Sequence, residues 1–321
     1  MKVRLSTAAG LVILCAAALA LYATGSWRVA LNWRTIHILF QGIVWDGMSF
    51  IVIGAVLAAM IESWISSGGM VSLLPDNLAG RIVAASVGAT LPVCDCGAIP
   101  IARTLRRKGV GESIAFTFVL GAPTLNIVAL AATFVAFHQH WQWLVLRAGA
   151  AFFIAVVAGW IVRFREDGLT EGWRRSAVGN RHPRGLGHIL SHASGEVFVV
   201  GPFFVASALL AAMAQGVLPV HAVTAFTQHS VWSIALMMGA GGALSLCSAA
   251  DAFIAASLVG LFSPGAILAF LLAGQMIDLR NVFTLPQTFG RRTVTLGLSV
   301  VTLLIFAVAV LVNLWLTGSL A

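Results

Sequence analysis

Long apolar runs alternate with short polar interruptions along almost the whole chain. The runs fall at about 6–23, 37–62, 81–105, 113–137, 141–163, 196–215, 231–262, 263–288 and 293–316. Most reach the roughly 17–25 residues that an α-helix needs to cross a hydrocarbon core about 30 Å thick, so the pattern predicts membrane-embedded helices and no sheet. The longest polar interruption, 164–195, is rich in Arg, Gly and His and separates two halves. The predicted organisation is an N-terminal transmembrane helix and loop (1–36), a first membrane repeat (37–163), a basic cytoplasmic linker (164–195) and a second repeat (196–321). His188 and His192 stand i,i+4 in the linker, but no third ligand is evident, so a solvated linker is expected rather than a metal site.

The halves are related in sequence. A shift of 153 residues carries Leu57-Ala-Ala-Met60 onto Leu210-Ala-Ala-Met213, Gly88 onto Gly241, Cys94 onto Cys247 and Gly121 onto Gly274, with no gap. Alanine and leucine matches come cheaply in such a composition; matched glycines and a matched cysteine in one register do not. An internal repeat of this kind is a transporter signature.

Composition narrows the class. The 321 residues are 60% hydrophobic and 9% charged, and the mean hydropathy is +0.97. Soluble domains carry about 25% charged residues, so this chain could not cover itself for water. The expectation is a multi-pass protein of the cell (inner) membrane. Its net charge of +8 is concentrated at 2–4, 103–108, 163–184 and 291–292, between apolar runs. That placement suits loops facing anionic lipid and not nucleic acid, because no basic set interleaves with exposed aromatics. Lys2 and Arg4 before Ala8–Ala23 imitate a secretory signal, yet the many later spans favour an uncleaved first helix.

Charge also predicts topology. If 81–105 and 234–262 were plain crossings, Arg106-Arg-Lys108 and the linker would lie outside, against the positive-inside rule. If each enters and returns as a hairpin, with half-helices at 81–93 and 97–107 in the first, nearly all basic clusters fall inside. The predicted fold is therefore all-α and polytopic, with seven crossings, two opposed re-entrant helix hairpins, broken helices and an inverted structural repeat.

Chemistry concentrates at the predicted tips. In Pro92-Val-Cys-Asp-Cys-Gly-Ala-Ile-Pro100, Pro92 and Gly97 are expected to break the helix and Pro100 to sit in the first turn of the returning arm. An extended tip would send Cys94 and Cys96 one way and Asp95 the other. The second tip, Ser245–Asp251, brings Cys247, with Asp251 one helical turn later. Further interruptions are Gly121-Ala-Pro123-Thr-Leu-Asn126 and Gly274-Gln-Met-Ile-Asp278-Leu-Arg-Asn281. Blander readings stand beside these: Cys15 as a packed thiol, Asn126 as interhelical glue, Asp278 with Arg280 as a structural ion pair, Glu62 as a helix-end acid reaching the interface. Three acids within spans, each costing about 2.5–3.5 kcal/mol even on the mild insertion scale, argue for function.

P-x-C-x-C-G-x-x-P followed by G-x-P-x-x-N resembles the predicted permease family that includes the organoarsenical-efflux permeases, over nearly the whole chain. The resemblance implies a multi-span permease with detoxifying export as an activity. Asp95 departs from the family pattern, in which a small residue such as Ser separates the cysteines. Thiolates select soft centres independently of any resemblance. The expected function is a secondary-active permease, not an enzyme, exporting a soft thiol-reactive solute such as a trivalent organoarsenical with proton coupling. Cys94, Cys96, Cys247, Asn126 and Asn281 would bind substrate, and Asp95, Asp251 and Asp278 would carry the proton. Pro92, Gly97, Pro100, Gly121, Pro123 and Gly274 would break helices. Without a Walker A motif no ATP hydrolysis is expected, and no cofactor or resident metal. The partners expected are a small-molecule or ion substrate and membrane lipid. Transport of a metal ion or sulfur compound through the same site is one alternative. An integral-membrane thiol oxidoreductase is another, disfavoured because no second dithiol is near to relay electrons.

Overall fold

The computed structural model describes residues 33–64, 67–90, 93–164, 186–217 and 230–317, and its regular elements there are helices. The first half holds α1 (Trp33–Trp64), α2 (Ser67–Leu73), α3 (Leu78–Thr90), α4 (Asp95–Arg107), α5 (Glu112–Leu125), α6 (Ile127–Ala136) and α7 (Trp141–Arg163). The second holds α8 (Leu186–Val217), α9 (Ser230–Leu244), α10 (Ser248–Ser257), α11 (Pro264–Met276), α12 (Leu279–Thr284), a 3₁₀ turn at Leu285–Gln287 and α13 (Arg291–Thr317). Among the described residues five stretches are long and apolar enough to cross a membrane: Ile36–Trp64, Glu112–Ala136, Trp141–Arg163, Pro264–Gln287 and Arg291–Leu316. The chain is an all-α polytopic membrane protein. The expected crossing at 6–23 lies outside the described residues, and the apolar part of α8 is the shorter Ala193–Leu209. Because α8 begins at Leu186, the last part of the expected linker, 186–195, is helical.

The run 81–105 turns back on itself. α3 and α4, of 13 residues each, are about 20 Å long at 1.5 Å per residue, too short to cross singly. Their outer ends are brought to the same side through α5: Arg81 Nε, near the start of α3, donates to Ser113 Oγ at 2.9 Å in the first turn of α5, the helix that follows α4. Lys108, the C-cap of α4, donates from Nζ to the Glu62 carbonyl at 2.6 Å. α13 relates this end to the other hairpin. The Gly290 N–H, at its start, donates to Glu112 Oε1 (3.2 Å), whereas Asn313, near its finish, accepts from the Gly265 N–H (2.7 Å). So α4 leads into one end of α13, and α10, through the loop before α11, leads to the other.

The 153-residue offset recurs in the helices. It carries Trp33–Trp64 onto Leu186–Val217, and the start of α4 at Asp95 onto the start of α10 at Ser248. Close helix crossings follow it too. A Cβ on Gly88 would lie 2.8 Å from the Ala122 backbone, and one on Gly121 3.3 Å from Ala85 Cα. Their counterparts Gly241 and Gly274 would put a Cβ 2.6 Å from the Phe270 carbonyl and 2.9 Å from Asp251 Oδ2. Small residues let backbones approach where lipid supplies no hydrophobic drive between helices.

These glycines are packing residues, which corrects their expected role as breaks. Gly121 and Pro123 lie within α5 and Gly274 within α11; the chain unwinds later, at Asn126 and at Ile277–Asp278. Gly97 is likewise the third residue of α4, pressed on α1 so closely that a Cβ on Gly54 would sit 2.5 Å from Gly97 Cα. Pro100 is inside α4, past the first turn, because the helix starts at Asp95 and not at Gly97. An acid in the first turn complements the helix dipole and favours that early start. Pro92 lies outside the described residues.

Candidate functional site

Cys94 caps α4 with extended backbone (φ −83°, ψ 179°), and Cys247 caps α10 in the same manner (φ −70°, ψ 145°). Asp95 and Cys96 follow as the first helical residues, so the period-two alternation expected of an extended tip does not occur. Instead all three line the wall of one cavity of about 250 Å³. Cys247, Ser245, Leu246 and Ser248 of the second tip form the facing wall, α1 adds Ile43, Gly47 and Phe50, and Arg280 of α12 closes the floor. The cysteines are unpaired thiols, half-buried at Cys94, buried at Cys96 and exposed at Cys247. No three His, Cys, Asp or Glu side chains among the described residues converge as a metal-holding group, so these sulfurs line a space without forming a cage.

Arg280 ties the tips together. Its Nε donates to Asp278 Oδ2 at 2.7 Å, its Nη2 to the Leu246 carbonyl at 3.1 Å, and the same nitrogen lies 3.5 Å from Asp95 Oδ2. An arginine fork suits this because its donors are fixed in one plane. Asp278 is fully buried and accepts from the Asn281 N–H (2.8 Å), capping α12. The ion pair that the sequence offered as a bland reading for Asp278 is therefore present.

Each unwound point touches the tip of its own half. Asn126 Oδ1 accepts from the Val128 and Ala129 N–H groups (2.7 and 3.0 Å), while its Nδ2 donates to the Val93 carbonyl (3.4 Å). In the second half the Leu279 N–H donates to Ser245 Oγ at 3.1 Å, and Ser245 holds a left-handed φ of 46° to present it. Such contacts satisfy backbone groups that lipid could not.

The predicted site residues therefore separate. Cys94, Cys96, Cys247 and Asp95 meet at the cavity. Asn281 sits behind it, lining a second space of about 10 Å³ whose wall also includes Asp95, Cys96 and Arg280. Asn126, Asp251 and Asp278 are not on the main cavity's wall. Gln275 Nε2 donates to Asp251 Oδ2. Arg147 of α7 reaches the same neighbourhood, donating to Thr133 Oγ1 (2.7 Å) and the Ser248 carbonyl (3.3 Å).

Sequence reasoning missed Arg147, Gln275, Ser245 and Glu196, and Arg280 as a cavity group. The signal was present: Arg147 is a charge isolated in an apolar run, and every such charge needs a partner. Ile51, Ile99, Val200 and Phe204 also line the small space, and α1, α4 and α8 meet again in an ion-pair cluster. There Glu196 of α8 receives Arg107, with Arg103 3.6 Å away, and Glu62 of α1 lies 3.8 Å from Arg107. Glu62 is buried at the protein's charged end rather than reaching out to the interface.

A helical membrane protein whose broken helices surround a cavity lined by thiols and an Asp–Arg ion pair has the build of a transporter. Residues 32–314 match the family described as predicted permease, and the chain belongs to that family. It is 33% identical over 282 residues to the UPF0718 protein YcgR of Bacillus subtilis, covering 86% of this chain and 96% of that one. It is 32% identical over 261 residues to a Streptococcus mutans protein named as a subunit of a two-component membrane permease complex, covering 78% of this chain and 86% of that one. No solved structure matches significantly.

Proposed function

We propose that the protein is a secondary-active permease that exports a soft, thiol-reactive solute, with a trivalent organoarsenical as the best candidate. The observation that carries this reading is the convergence of Cys94, Cys96 and Cys247, from two halves of the chain, on one cavity of about 250 Å³. Thiolates prefer soft centres, and a trivalent arsenical with exchangeable positions matches a dithiol with a third sulfur opposite. The hairpin ends and the repeated helix boundaries support an inverted repeat, with the Lys108 end cytoplasmic by the positive-inside rule. The cavity is lined by α1 residues 38–50, well away from Glu62, and the Arg103–Arg107–Glu196 cluster closes the cytoplasmic side. That arrangement is the outward-facing half of an alternating-access cycle.

Proton carriage is assigned to Asp95 and Asp251. Asp278, expected to share it, is committed to Arg280 and to the cap of α12. Cells or everted vesicles offered a panel of arsenicals should extrude trivalent organoarsenicals against a gradient, and Cys94→Ser with Cys96→Ser should abolish this. Asp251→Asn should retain solute binding but lose transport driven by a pH gradient. Undiminished export by the double serine variant would refute the reading.

A further inference from the structure

Resting on the reading of the cysteines as substrate ligands, we infer that Asp95 is the proton acceptor for thiol exchange at the substrate's soft centre, and that it selects solutes carrying a hydroxyl there. The geometry pairs one carboxylate oxygen and leaves the other buried without a donor. Oδ2 faces Arg280 at 3.5 Å, and Arg280 is itself fixed by Asp278 (2.7 Å) and the Leu246 carbonyl (3.1 Å). Oδ1 has no hydrogen-bond partner among the described residues, although Asp95 is only 4% exposed. A buried acceptor without a donor is costly, and a ligand that brings an O–H relieves it. The residue lies in the cavity wall between the two cysteines that follow and precede it.

The groups facing Asp95 are Cys94 and Cys96 on its own arm, and Arg280 and Asp278 from the broken helix of the other half. Asp251, bonded to Gln275, acts on it from α10. α1 presents apolar Ile43 and Phe50 at the wall.

The exchange balances without any change of oxidation state. A thiol Sγ–H meets a trivalent centre bearing OH. The sulfur–arsenic bond forms and the arsenic–oxygen bond breaks. The thiol proton passes through Asp95 Oδ1 to the departing hydroxide, which leaves as water. The second thiol repeats the step. Release runs it backwards, with water returning the hydroxyl and Asp95 returning the proton to sulfur, so capture by two sulfurs stays reversible. The ligand class is a neutral, soft, trivalent centre with at least one exchangeable hydroxyl; an anion would meet the Asp95 carboxylate unfavourably.

The test is the association rate of phenylarsine oxide, hydrated in water to its dihydroxide, with the purified full chain. Tryptophan fluorescence would be followed from mildly acidic to mildly alkaline pH. Asp95→Asn should slow association by about 100-fold or more at neutral pH, the usual scale of a lost general base, with unchanged stoichiometry. Its residual rate should climb with the thiolate fraction, while the parent protein's rate stays flatter. Asp95→Glu should recover most of the rate. Should the Asn variant fail to fold, Asp95→Ser, with the small residue, takes the same measurements. Parent-like rate and pH profile in the Asn or Ser variant, with binding still abolished by the Cys94/Cys96 double serine variant, would overturn the role of Asp95 alone. Parent-like binding by that double serine variant would overturn both this role and the ligand reading beneath it.

Discussion

The two hairpin tips share a backbone and divide the chemistry. Both begin a helix on an extended cysteine cap, Cys94 and Cys247, at matching positions of the repeat. The first tip adds Asp95 and Cys96 to the cavity wall, and its arm is clamped on α1 through Gly54 and Gly97. The second tip offers one sulfur, leans on α12 through Ser245, and keeps its acid a turn deeper, where Gln275 bonds Asp251. The counterpart of Gly54 in α8 is Ser207, whose hydroxyl donates to the Phe204 carbonyl of its own helix. Two stretches related by the same offset can thus keep their turns and crossings while one carries an acid and two sulfurs at the cavity and the other a single sulfur.

Substitutions can break that contrast. The largest effect is expected at the sulfurs: the Cys94 and Cys96 double serine variant should lose phenylarsine oxide binding, whereas Cys247→Ser should weaken it by only about tenfold, or ~1.4 kcal/mol. Titration calorimetry would separate them; equal losses would mean that the tips are equivalent ligands. Next come the two helix breaks. Asp278→Ala leaves the Arg280 guanidinium without its closest partner and should cost about 3–5 kcal/mol, while Asn126→Ala loses a cap and should cost about 0.5–2 kcal/mol. Thermal unfolding in detergent would rank them, and a reversed order would contradict the structural commitment of Asp278. Gly54→Ala should destabilise by about 1–3 kcal/mol through the clash with Gly97. Ser207→Ala, at the matching site, should change little. Ser245→Ala removes the acceptor for the Leu279 N–H and should cost about 0.5–1.5 kcal/mol.

Much of this was legible because a membrane imposes simple rules. Run lengths located the helices, and the basic clusters at 103–108 and 163–184 favoured a reading in which 81–105 turns back. The ungapped match of Cys94 with Cys247 and of Gly88 with Gly241 has the same 153-residue offset that relates Trp33–Trp64 to Leu186–Val217. What resisted reading was local. Glycine and proline signal a departure from an ordinary helix, but Gly97, Gly121 and Gly274 serve close approach within helices, and composition alone does not separate approach from unwinding. The partners Arg147–Ser248 and Gln275–Asp251 join residues 101 and 24 positions apart. Such pairings follow from packing, which a run of apolar residues does not encode.

The central claim is that one solute touches the cysteines of both hairpins at once. It is tested most directly by alkylating Cys94, Cys96 and Cys247 in membranes with and without a trivalent organoarsenical, and counting the modified residues by mass spectrometry. The account predicts that the solute shields all three together, at the same half-saturating concentration. Shielding of Cys94 and Cys96 while Cys247 reacts at its unprotected rate would contradict it, and would place the second hairpin outside the site.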